Sequence, residues 1–250
     1  MTSSTDIPPA TEPATEPAPK PNPWQRLVGV IAAPVDTFTS IARRPDWVVP
    51  FLAIALISLA AGILIGTRVD FTELAHEAIE MNPNAKQVPD SAVRFTAAIM
   101  KVSAYASPIL TLIALLIVAA VLQVSFRLFA GEVTFLQAFS VTLYAWVPRL
   151  IKAILSVVVI FSRRSISLLD LSNPVMSNLG FLADPKASPV LYAIASSVDL
   201  FAIWSVVLLI VGFAIASRLS RARSAAIVIG WWIVVNLVML IGPAMQMMRR

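Results

Sequence analysis

The last third of the chain, Ser188–Arg250, limits the fold most strongly. Two uncharged runs, Leu200–Ser217 and Ser224–Met248, flank a short link carrying Arg218, Arg221 and Arg223. An apolar run of about 18 or more residues can cross a bilayer as a helix. A link this short forces the two helices side by side and antiparallel. The pattern predicts a membrane hairpin with a positive tip, against which the rest of the chain must pack.

Composition points the same way. Of 250 residues, 58% are apolar and 13% charged, and the mean hydropathy is +0.82. Soluble domains sit near 45–50% apolar and about 25% charged. The formal net charge of +5 does not call for nucleic acid. The arginines gather at span ends, where positive charge sets topology and meets anionic headgroups. With no cysteine, a disulfide, a thiol nucleophile and a cysteine metal site are all excluded. Residues 1–23, rich in Pro, Thr, Glu and Ala, have no apolar core. They predict a disordered, cytoplasmic, polyproline-like tail that could also engage a protein partner.

From Trp24 to Trp47 the chain predicts an amphipathic interfacial segment. Trp24, Leu27, Val28, Ile31, Val35 and Phe38 recur at helical spacing, and Pro34 divides two short helices. It lies on the membrane surface or docks on the bundle. Five spans follow, at about 48–67, 102–126, 135–161, 192–217 and 224–248. A polar excursion with a helical start and a turn region at 82–90 joins the first two, and Pro108 predicts a kink in the second. The third span carries Pro148, Arg149 and Lys152. A cation at the bilayer centre costs about 2.5–3.5 kcal/mol on insertion scales. A break at Pro148 would let both cations snorkel back to the headgroups. The alternative is that both line a polar cavity.

The five spans put the termini on opposite sides. The positive charges nearly balance across them. The short basic links and the acidic Asp70, Glu73, Glu77, Glu80 and Asp90 of the first excursion favour a cytoplasmic N-terminus.

Few residues suggest chemistry. Glu73, His76, Glu77 and Glu80 share one helical face. A di-metal carboxylate site needs a second Glu-x-x-His element, and His76 is the only histidine, so this reads as a solvated acidic face. Asp199 opens the fourth span and could pair with Arg163 or Arg164, or serve as a proton or ion site. Asn236, Gln123 and Ser125 lie mid-span, where such groups more often bond helix to helix. Gly62 and Gly66 suggest close helix packing. There is no Ser/His/Asp set and no phosphate-cradling glycine loop, so neither an enzyme nor a cofactor is expected. The candidate functional positions are Arg149, Lys152, Asp199 and Asn236.

Three stretches carry a resemblance. APVDTFTSIARRPDWVVPFL (33–52) is a proline-led helix with an Arg-Pro-x-Trp turn. GEVTFLQAFSVTLYAWVP (131–148) leads into the third span. SPVLYAIASSVDLFAIWSVVLLIVGFAIASRLSRARSAAIVIGWW (188–232) contains Asp-Leu-Phe-x-x-Trp and Gly212. In this order they resemble the bacterial branch of the YIP (Ypt/Rab-interacting protein) domain family. The resemblance implies a compact five-helix membrane domain with a cytoplasmic N-terminus, in the bacterial cytoplasmic membrane. Eukaryotic relatives bind prenylated small GTPases and act in vesicle traffic. That role is not transferred, because the Asp-Leu-Tyr-Gly-Pro motif of those relatives is absent here. Bacterial relatives have no settled activity.

Two functions remain. A non-enzymatic scaffold or adaptor, which could be a homo-oligomer embedded in the lipid bilayer, predicts a dry bundle whose polar residues pair with one another. A small-molecule or ion permease predicts a cavity near Arg149, Lys152, Asp199 and Asn236. The scarcity of intramembrane charge favours the scaffold.

Overall fold

The computed structural model describes residues 22–80, 88–185 and 187–248. The proline-rich tail, apart from Asn22 and Pro23, and most of the turn region at 82–90 lie outside them.

The N-terminal segment folds as two helices, α1 (Pro23–Ala32) and α2 (Pro34–Arg43), divided at Pro34. Asn22 and Gln25 form a capping box on α1, which satisfies end N–H groups that a helix cannot bond internally. The pair is docked on the bundle. Val30, Phe38 and Ile41 are fully buried in the largest apolar cluster. Arg26, 7% exposed, donates to the Arg44 carbonyl at 3.0 Å and to Ser40 Oγ at 2.9 Å.

The apolar run Val48–Gly66 forms α3, and α4 (Phe71–Glu80) follows. Next, α5 (Asp90–Leu128) is one helix of 39 residues. It starts earlier than the predicted span and continues through Pro108. Gly62 and Gly66 face α5: a Cβ at Gly62 would lie 2.7 Å from the Ala104 carbonyl oxygen, and one at Gly66 would lie 2.9 Å from the Tyr105 hydroxyl. These two glycines allow close approach of the helices.

The third span is two helices, α6 (Phe135–Ala145) and α7 (Val147–Ser162), joined at Trp146. Proline suits the first turn of a helix, and Pro148 lies in the first turn of α7. The loop beyond holds α8 (Leu168–Ser172) and a 3₁₀ turn, Leu179–Leu182. The next helical run is also divided. Pro189–Ser197 is α9, and α10 is Leu200–Ser217. Asp199 is extended and its side chain caps α10, which separates the two. Arg218 turns the chain in the left-handed region at φ 61°. Then α11 (Arg221–Met239), capped by Ser220, is followed by α12 (Ile241–Met248).

Among the described residues the only strand-like pairing is an isolated bridge between Asn178 and Asp199. Five helical stretches, Val48–Gly66, Asp90–Leu128, Phe135–Ser162, Leu200–Ser217 and Arg221–Met245, are long and apolar enough to cross a membrane. The chain is an all-α, multi-pass integral membrane protein. Its main cluster joins α1, α2, α5, α6, the start of α7, α10 and α11. A second joins α3, α5, α6 and α7.

Candidate functional site

A partly open cavity of about 550 Å³ lies between α3, α5, α7, α10 and α11, beside the end of α9. Arg149, Lys152, Asp199 and Asn236 all line it. Ser58 and Thr111 add hydroxyls from α3 and α5. Ser58 follows the central residue of α3, and Arg149 stands at the middle of the stretch Phe135–Ser162. The cavity therefore lies beside the middle of two of the apolar stretches and at the start of a third, α10.

The break at Trp146 produces this arrangement. The helix restarts at Val147, and Arg149 and Lys152, three residues apart, share one face of α7. The Arg149 guanidinium lies over the Trp146 ring, 4.5 Å from its centroid, within cation–π range. Lys152 Nζ donates to Asp199 Oδ2 at 2.7 Å. Their side chains are 25% and 9% exposed.

Asp199 is held from several sides. Its Oδ2 also accepts from the Ser177 hydroxyl, and its Oδ1 accepts from the Ala202 N–H at 3.0 Å, capping α10. The Leu200 N–H bonds back to the Ser177 carbonyl at 2.9 Å. Asn178 and Asn173 exchange side-chain bonds of 2.9 and 2.6 Å, which pins the loop that presents Ser177.

The structure corrects the expected partners. Asp199 pairs with Lys152, not with Arg163 or Arg164. Arg163 instead pairs with Asp170, seven residues along its own loop. Lys152 finds its counter-charge within the bundle, because α10 begins level with it and offers a carboxylate there. Asn236 does not bridge helices. Its Nδ2 donates to the Trp232 carbonyl one turn back, at 2.7 Å. Ser125 does bridge, accepting from Trp231 Nε1 at 2.7 Å.

Sequence reasoning missed Ser58, Thr111, Ser156, Ser177, Ser196 and Trp232. The hydroxyls of Ser58 and Thr111, mid-span in apolar runs, were a usable signal. Ser177 lies in a loop with no pattern to single it out. On α4, Glu77 Oε2 accepts from the Leu168 N–H at 2.7 Å. Among the described residues no group of three or more His, Asp or Glu side chains could hold a metal.

The sequence profile of the Yip1 domain matches residues 28–242. The chain belongs to the Yip1 domain family. The match runs from within α1 into α12, so it includes every element that lines the cavity of this Yip1 domain. No curated protein and no solved structure matches the chain.

Proposed function

We propose that this Yip1 domain is a non-enzymatic membrane protein that admits a small polar molecule into the cavity beside α7, a permease-class activity. The observation that supports it is the convergence of Arg149, Lys152, Asp199 and Asn236 on one space. A bundle built only to organise its surroundings gains nothing from polar groups gathered between its apolar helices, where they are expensive. The volume falls within the usual range for small-ligand sites, about 300–1,000 Å³. The lining offers cations, a carboxylate and hydroxyls, but no histidine or thiol.

The scaffold reading draws support from a different observation. Lys152 and Asp199 pair with each other, and α1 and α2 bury their apolar face in the bundle. Water decides between the two. Because the protein has no cysteine, Ser58→Cys and Asn236→Cys each present one reporting thiol. A membrane-impermeant maleimide should label both in intact membranes. Protection of both from either side would restore the scaffold.

We also propose that the N-terminus is cytoplasmic and the host membrane is the bacterial cytoplasmic membrane. The basic link between α10 and α11 supports this. In intact cells a thiol at Ala222 should be protected and one at Ser188 labelled. The reverse pattern would invert the orientation.

A further inference from the structure

Arg149 is the charged group lining the cavity that forms no ion pair within the described residues. Among the described residues the ion pairs are Lys152–Asp199, Arg163–Asp170 and Arg218–Glu132, and Arg149 is in none of them. Its Nε is buried without a hydrogen-bond partner. Asp199 faces the same cavity, but its oxygens already accept from Lys152, Ser177 and Ala202. Arg26, the other interior arginine, also has a buried Nε without a partner, but both its Nη atoms are bonded within the fold, whereas no hydrogen bond within the described residues holds the Arg149 guanidinium. Ser196 also lines the cavity, and its Oγ, beside Gly180, is buried without a partner.

The charges of Arg149, Lys152 and Asp199 sum to one net positive. An uncompensated cation partly buried between apolar helices is costly, and an anion beside it offsets that cost. The Trp146 ring covers one side of the guanidinium. Its N–H edge is left for a planar fork of acceptors, the geometry in which arginine binds oxyanions.

We propose that the cavity is a phosphate-type oxyanion site with Arg149 as its principal ligand; this rests on the cavity reading above. The phosphate belongs either to a lipid headgroup or to a small soluble phosphate. Lys152 and Asp199 form the fixed wall beside it, and Ser196 supplies a neutral donor.

The test uses the full chain in nonionic detergent, stripped of lipid until phosphorus analysis reads none. Thermal unfolding is followed with inorganic phosphate against chloride at constant ionic strength. A parallel arm compares phosphatidylglycerol with diacylglycerol of the same chains. At a hundredfold excess over its dissociation constant, a bound probe should raise Tm by about 5–10 °C. A rise with inorganic phosphate assigns a soluble ligand, and a rise with phosphatidylglycerol alone assigns a headgroup. Arg149→Gln should abolish the rise and, without anion, melt at or above the wild type. Arg149→Lys should keep a smaller rise. A wild type that responds to neither probe overturns the proposal. So does a rise that persists in R149Q, or an R149Q that melts far below wild type without anion. If thiols at 58 and 236 label while no probe shifts the wild type, the anion assignment falls and the cavity reading stands. If neither thiol labels, the cavity reading itself falls.

Discussion

Asp199 accepts three hydrogen bonds, and only the one from Lys152 comes from a charged donor. Substitution separates its two roles. Asp199→Asn keeps a good N-cap but leaves Lys152 without its counter-charge. Asp199→Ala loses the cap as well, at a further cost of about 1 kcal/mol. Lys152→Met combined with D199N should restore part of the loss. The coupling in that double-mutant cycle, read from unfolding in detergent, should be about 1–3 kcal/mol. Additive effects would mean that the two side chains do not pair. A second carboxylate, Asp170, lies in the loop after α7. Partial burial pushes its carboxyl up, but the Ser167 N–H and hydroxyl and the Arg163 guanidinium pull it further down, so it sits below its ordinary value of 3.8. A lowered folded value means that its stabilisation is complete above the ordinary carboxylate range and fades as pH falls through the folded value. The wild type should therefore exceed Asp170→Asn in stability by about 1 kcal/mol near neutrality, and the gap should close below about pH 4. A gap independent of pH would remove the ion pair from the explanation.

Helix α2 meets α10 at Gly212. A Cβ there would lie 2.6 Å from Val141 Cγ1 and 2.9 Å from Phe38 Cε1, closer than packed atoms come. Phe38 is fully buried at this crossing, and α2 is further tied by the bond from Gln137 Nε2 to the Ala42 carbonyl at 2.8 Å. Gly212→Ala should cost about 1–3 kcal/mol through overpacking, and Phe38→Ala about 3–5 kcal/mol through the cavity it leaves. Both losses should appear in thermal unfolding, accompanied by faster proteolysis between α2 and α3. A G212A protein as stable as wild type would mean that α2 does not seat against α10. The sequence showed the amphipathic face of this segment and its division at Pro34, since both are local. It left open whether that face meets lipid or protein, because periodicity identifies an apolar stripe without naming its partner.

Across the whole molecule, the cavity exists because the helices are staggered. α10 begins level with Lys152, whereas α7 runs on to Ser162 and α3 ends where Arg68 lies over the Phe161 ring, 5.7 Å from its centroid. Beside the start of α10, α9 packs against the 3₁₀ turn of the loop, α11 and α12. Removing the Asn173–Asn178 bonds with Asn178→Ala should loosen that loop and raise the labelling rate of a thiol at Ser58 several-fold. An unchanged rate would show that the loop does not cover the cavity. Membrane class, five spans and the broken third span were all legible in the chain. Each rests on runs of apolar residues and on proline geometry, which act within a segment. The positions worth watching, Arg149, Lys152, Asp199 and Asn236, were legible too, because a charge or amide in an apolar run is conspicuous. Their convergence was not. Which carboxylate neutralises which cation depends on where α10 starts relative to α7, and that stagger is set by capping at Asp199 and packing between distant segments. Arg149 without a partner is likewise a property of the assembled bundle, since a sequence lists charges but not the distances between them.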